Sequence, residues 1–184
     1  QATLEIKPEK AIKLEKDALA LIKEITEENA HLVSNLHSNL GGLYRMNSYP
    51  ALAREHMEKG LFLLEQYNLL YTNDSIPQIT NYAMLLTEQQ SPEKGISVLQ
   101  KVSKIIKEYN SDCNLDYATV QETLGIIYLM TANLPQAKTH FKRAFKIYEK
   151  IWADEPEMIE KKCQEIQELY PQVGFFLGQQ ISNF

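Results

Sequence analysis

The sequence predicts an all-α fold, a solenoid of stacked helical hairpins with about three full repeats plus flanking helices. Three observations predict it. Small residues recur at a fixed step: Gly41, Ala83 and Gly125 are spaced 42 apart, and so are Ala53, Gly95 and Ala137. Gly60, Val102 and Ala144 keep the same step. Pro50, Pro92 and Pro135 each fall at the expected start of the second helix of a hairpin, where a missing N–H costs nothing. Finally, 7 Gly and 7 Pro among 184 residues are too few for the tight turns of an all-β chain. Small residues at these spacings let two helix backbones approach, with Leu40, Tyr44, Met57, Leu99, Tyr128 and Phe141 filling the space around them.

The elements follow in order within one domain, 1–184. Residues 8–28 read as an orphan second helix, because Pro8-Glu9-Lys10-Ala11 echoes Pro92-Glu93-Lys94-Gly95. Its stripe, Ala11, Leu14, Ala18, Leu21, Ile22 and Ile25, has helical spacing. Its own first helix is missing or reduced to residues 1–5. The first repeat spans 31–70, with helices at 31–46 and 50–70. The second spans 76–109, with helices at 76–89 and 93–109, and Ser75-Ile76-Pro77-Gln78 reads as a capping box. The third spans 116–152, with helices at 116–131 and 135–152. Asp154 and Pro156 open a last helix at 157–170, which Pro171 ends. The C-terminal segment 157–184 finishes with Phe175, Phe176 and Leu177, expected to fold back as a cap over the last apolar face.

Composition excludes several function classes. A net charge of −5 argues against direct nucleic-acid binding. Nothing approaches the ~18 consecutive apolar residues of a membrane span. The first ten residues carry charges and no apolar core of a secretory signal. The expectation is a cytoplasmic location, with either the mature chain starting here or an upstream segment removed. Cys113 and Cys163 form no CxxC and read as free thiols. Asp112-Cys113-Asn114-Leu115-Asp116 begins like a calcium loop, but Tyr117 and Thr123 stand where glycine and glutamate are required. His31, His37, His56 and His140 lack zinc spacing, and the glycines are scattered singly. Asn73-Asp74-Ser75 is a formal glycosylation sequon that reads as a helix-capping loop. Cys113 has no evident base. The chain is therefore expected to be no enzyme and to need neither metal nor cofactor.

The pattern Leu40-Gly41, Tyr44, Ala53, Gly60 and its counterpart Leu124-Gly125, Tyr128, Ala137, Phe141, Ala144 resembles the tetratricopeptide repeat. The 42-residue step exceeds the common form of ~34. It is similar to the long repeats of kinesin light chains, nephrocystin-like proteins and bacterial peptide-sensing regulators. The second repeat departs most, with Ala83, Leu86 and Gly95 in the slots held elsewhere by glycine, tyrosine and alanine. The resemblance covers residues 30–170 and implies a right-handed superhelix whose concave groove is lined by the first helices of the hairpins.

Carried over slot by slot, the resemblance places Asn35, Asn39, Arg45 and Met46 in the groove from the first repeat. It places Asn81, Met84 and Glu88 there from the second, Glu122, Ile126 and Met130 from the third, and Lys161, Gln164, Glu165 and Glu168 from the last helix. Asn39 and Asn81 share a slot that, in the long-repeat family, grips the backbone of an extended peptide; the alternative is that they bond within the stack. Thr123 breaks this ladder in the third repeat. Arg45 and Glu88 are expected to present opposite charges that select ligand side chains. The methionines offer adaptable contacts or are plain helix surface. The implied function is a protein- or peptide-binding adaptor or scaffold. The alternative is the peptide-sensing C-terminal domain of a bacterial transcriptional regulator or phosphatase. A homodimer through the N-terminal helix is a further expectation, because that helix lacks its own partner.

Overall fold

The computed structural model describes residues 8–70, 72, 75–109 and 114–171. These form α1 (Pro8–Leu21), α2 (Glu27–Met46), α3 (Pro50–Gln66), α4 (Ile76–Glu88), α5 (Pro92–Tyr109), α6 (Leu115–Met130), α7 (Leu134–Ile151) and α8 (Pro156–Leu169). The expected all-α fold of helical hairpins is what these residues adopt. They fall into two compact units, one up to Gly95 and one from Ile96, with the boundary inside α5. The expectations for residues 1–5, for the sequon at 73–74, for Asp112 and Cys113, and for the tail after Pro171 lie outside the described residues.

In the first unit, α2 and α3 meet through their small residues. A Cβ placed on Gly41 would lie 2.5 Å from Met57 Cγ and 3.1 Å from the Ala53 carbonyl oxygen. Leu40, Tyr44, Ala53, Met57 and Leu85 form the core there, with Ile12 and Leu19 of α1 and Tyr82 of α4 against it. Burying such side chains contributes roughly 1.5–3 kcal/mol apiece.

Two local expectations are corrected. The N-terminal helix ends at Leu21 and not at 28, and α2 begins at Glu27 and not at 31. The cause is Asn29. Its Oδ1 accepts from the Thr26 backbone N–H at 2.8 Å, and its Nδ2 donates to the Glu24 carbonyl at 2.9 Å. One side chain thus closes the intervening turn and caps the next helix. The face of α1 turned to the core carries Ile12 and Leu19, while Leu14 and Leu21 of the apolar stripe are 55% and 82% exposed. The capping box at Ser75 does not form either. Ser75 Oγ donates back to the Leu70 and Thr72 carbonyls, at 2.5 and 2.7 Å, because Gln78 is drawn into the interior.

The hairpin turns repeat with the 42-residue step. Ser48, Gln90 and Ala132 have φ of 61°, 60° and 58°. The following N–H groups of Tyr49, Ser91 and Asn133 donate to the carbonyls of Tyr44, Leu86 and Tyr128 at 2.9, 2.8 and 2.7 Å. This is the left-handed helix ending that glycine usually occupies, here made by three other residue types.

In the second unit, Asn114 Oδ1 caps α6 by accepting from the Tyr117 N–H at 2.7 Å. The core is Ala118, Phe141, Ala144, Phe145, Tyr148, Cys163 and Ile166. Gly125 lets α6 approach α7, since a Cβ there would sit 3.1 Å from three atoms of the Phe141 ring. No described helix is long and apolar enough to cross a membrane.

Candidate functional site

Several of the residues that the sequence placed toward a ligand have partners within the protein. In the first unit, Ser34 Oγ lies 2.9 Å from the Gly60 carbonyl oxygen and 2.7 Å from the amide of buried Gln78. The Gln78 amide lies 2.7 Å from that of Asn35, whose Nδ2 is 3.2 Å from His31 Nδ1. This polar seam joins α2, α3 and α4 and satisfies groups that would otherwise be costly to bury. Asn39 donates to Glu15 Oε1 on α1 at 3.1 Å.

Arg45 and Glu88 form a forked pair, Nε to Oε2 at 2.9 Å and Nη2 to Oε1 at 2.8 Å. The opposite charges expected to face a ligand instead neutralise each other across α2 and α4, beside a cavity of about 300 Å³ that also touches Ser48, Pro50, Leu85 and Gln89. They sit 43 residues apart on successive first helices, so their long side chains meet sooner than they reach outward. Met84 is buried, whereas Met46 is 82% exposed and Asn81 is exposed.

A histidine arrangement recurs in both units, and the sequence reading missed it. His37 Nδ1 lies 2.9 Å from His56 Nδ1, and the Tyr44 ring is 5.4 Å from that of His56. In the second unit His140 Nδ1 lies 2.9 Å from Gln121 Oε1, and Tyr128 stacks on His140 at 5.3 Å. His56 and His140 occupy one slot two repeats apart, and that spacing was the available signal. An amide oxygen only accepts, so His140 Nδ1 carries the proton. Burial, and then Arg143, lowers the His140 pKa to about 4. Burial, and then His56, does the same for His37. Both rings are structural pillars, neutral near pH 7.

On the α6–α8 side of the second unit, Glu122 is an internal strut and not a free ligand contact. Its Oε2 accepts from the Tyr148 hydroxyl at 2.6 Å and its Oε1 from Lys162 Nζ at 3.0 Å. Burial, and then the Glu122 carboxylate, pushes the Tyr148 phenol far above its ordinary range. The Tyr148 and Trp152 rings stack at 4.7 Å with 12° between planes. Together they floor a cavity of about 270 Å³ whose walls are Leu115 and Thr119 of α6 and Met158, Lys161, Lys162 and Glu165 of α8. Ile126 packs against the core and Met130 is 42% exposed. An apolar side chain can lie on the half-buried Trp152 ring, which Tyr148 backs from the core, while Lys161 and Glu165 meet polar groups, which is the chemistry of noncovalent recognition. Cys163 is buried, and burial pushes its thiol up to about 11, so it is held as an unreactive thiol. Among the described residues no group of three or more His, Cys, Asp or Glu could hold a metal ion.

Residues 75–150 match the tetratricopeptide repeat family. Among 26 matching chains of solved structures is BtubC (BKLC) from P. vanneervenii, with a TM-score of 0.67 and 19% identity. The match covers 78% of this chain and 56% of that one, so the chain spans little more than half the length of BtubC. At this identity the likeness is one of fold. No curated protein matches the chain. The stretch from α4 through most of α7 thus matches the tetratricopeptide repeat, and the helical hairpins closed on small residues share the fold of BtubC.

Proposed function

We propose that this chain is a protein-interaction module that grips a peptide segment of its partner, with the α6–α8 cavity of the second unit as the principal contact. The observation that carries this reading is the half-buried Trp152 ring, stacked on the buried Tyr148, beside Lys161 and Glu165. A rigid aromatic ring offers contact surface at low entropic cost. The charged pair, one helical turn apart on α8, fixes the orientation of what lies on it.

Trp152 is the only tryptophan in the chain and therefore a built-in reporter. Peptides selected from a displayed library are expected to change its fluorescence on titration. Losing a contact in a desolvated site costs ~1–3 kcal/mol, which is roughly 5–150-fold in affinity. Lys161→Glu is expected to weaken a selected peptide within that range. A selected peptide that binds this variant as tightly as the parent protein sits elsewhere and refutes the reading.

A further inference from the structure

The histidine arrangement of the two units differs at one slot. In the first unit the partner of His56 is His37, and the two rings lie 5.1 Å apart with their Nδ1 atoms at 2.9 Å. In the second unit the partner of His140 is Gln121. An amide oxygen accepts across the whole range in which histidine titrates, so His140 can take a second proton on Nε2 and keep its bond. Two imidazole nitrogens hold each other only while one of them is bare. The contact in the first unit therefore depends on pH in a way that its counterpart does not.

The surroundings oppose a further proton. Tyr44 of α2 lies 5.4 Å from the His56 ring, and Lys16 of α1 reaches over the same Tyr44 ring at 5.6 Å. Lys59 of α3 acts on both histidines, with Glu55 opposing it from 2.7 Å. From α4 the group turned to this core is Tyr82, whose hydroxyl donates to Glu58 at 2.8 Å. Burial, and then Lys59, lowers the His56 pKa, and Lys16 adds to the effect. The element with least to hold it here is α1. None of its residues is buried. It is fastened by Ile12 and Leu19 against the α2–α3 core, by Lys16 over Tyr44, and by Glu15 accepting from Asn39 at 3.1 Å. An element with few buried contacts opens at lower cost than its neighbours.

We propose that the His37–His56 contact is an acid-sensitive latch on α1: proton uptake by the pair breaks the bridge, sets imidazolium charge beside Tyr44 and Lys16, and releases α1 from the α2–α3 hairpin while that hairpin stays folded. The sign follows from linkage. Lys16 opposes protonation of His56 only while α1 is docked, so the undocked state binds protons more tightly. Docking is full above the ordinary histidine value of 6.5 and weakens as pH falls toward about 4. Release uncovers the apolar side chains of Leu40, Tyr44 and Met57, against which Ile12 and Leu19 pack. The latch lies in the first unit and does not require the α6–α8 site.

The test is amide hydrogen exchange read by mass spectrometry on the whole chain at pH 7 and pH 5, corrected for the intrinsic pH dependence of exchange. One proton shifts the docking equilibrium by up to about tenfold per pH unit, so the protection of α1 is expected to fall about tenfold, and that of α2 and α3 by much less. His37→Gln gives the first unit the residue type of the second and is expected to cut the fall in α1 to about threefold or less. Lys16→Met removes the charge that opposes the proton from α1, and is expected to reduce the fall as well. Lys16 is exposed, so this variant keeps the fold. Circular dichroism at pH 7 checks His37→Gln, and His56→Gln replaces it if helix is lost. An α1 without protection at pH 7 overturns the proposal, as does protection that ignores pH. Equal losses in α1, α2 and α3 mean that the unit unfolds as a whole, which also overturns it. A fall as large as the parent's in either the histidine variant or Lys16→Met removes the latch or its link to α1.

Discussion

The same substitution at two glycines is expected to change stability in opposite directions. Gly42 lies on α2, and a Cβ added there meets nothing within 4 Å. Alanine at that position only removes backbone freedom from the unfolded chain, and Gly42→Ala is expected to stabilise by about 0.5–1 kcal/mol. Gly95 lies near the start of α5, where an added Cβ would sit 2.6 Å from the Ala83 carbonyl oxygen and 3.1 Å from Thr87 Oγ1. That carbonyl also accepts from Thr87 Oγ1 at 2.9 Å, so it is backbone held in place and not the free end of a flexible side chain. The two helices must separate by several tenths of an ångström. Overpacking costs about 1–3 kcal/mol, and a rigid backbone contact belongs in the upper half of that range. Subtracting the helix preference of alanine over glycine, about 1 kcal/mol, leaves a net loss of about 1–2 kcal/mol. Urea unfolding followed by far-ultraviolet circular dichroism reads both variants against the parent protein. Equal shifts of the midpoint, or a Gly95→Ala midpoint above the parent, would refute the reasoning that contact distance decides the sign.

Three other outcomes follow from the geometry. Ala132→Gly is expected to stabilise by up to about 1 kcal/mol and so raise the unfolding midpoint, because Ala132 sits at φ 58° and the left-handed region is strained for alanine; a lowered midpoint contradicts this. Glu122→Ala strips the Tyr148 hydroxyl and Lys162 of a shared partner and is expected to cost about 1–3 kcal/mol by thermal melting, with Glu122→Leu and Lys162→Met together costing less. His37 and His140 are held at about 4, below their ordinary value of 6.5, so the unfolded chain takes up protons first as pH falls. Their contribution is full above pH 6.5 and is lost down to about 4, giving a thermal midpoint that declines across that window; an unchanged slope in His37→Asn with His140→Asn would rule the two rings out as its source.

What the sequence revealed and what it concealed divide along physical lines. α3 and α5 begin at Pro50 and Pro92 because a proline is free only at the first turn, a rule that needs no knowledge of partners. The small-residue slots were legible because close helix approach leaves a mark on composition every 42 residues. The break after Leu21 was not, since 22–26 contains neither Gly nor Pro, and the signal was a single asparagine three residues after Thr26. The candidate site was legible in part. The frame placed Arg45 and Glu88 on the same turn of successive helices, but it could not say whether they faced outward or each other. Glu122 was hidden for a similar reason, because Lys162 and Tyr148 come from two other helices. Trp152 carried no such mark, because it closes a second helix while the repeat pattern points to the first helices as the lining of the groove.

The hairpin turn at Ser48, Gln90 and Ala132 also bears on how such a chain can grow. Three turns with unlike residues close by the same bond, from the N–H five positions after the accepting carbonyl. The turn is therefore an interchangeable joint. Thr131-Ala132-Asn133 could replace Asn47-Ser48-Tyr49 without altering the path of the backbone. A duplication that begins and ends at equivalent joints inherits a working connection at each seam, whichever hairpin was copied. Length can change in whole repeats while the seams stay intact, and the side chains at the turn are left free to vary for other purposes.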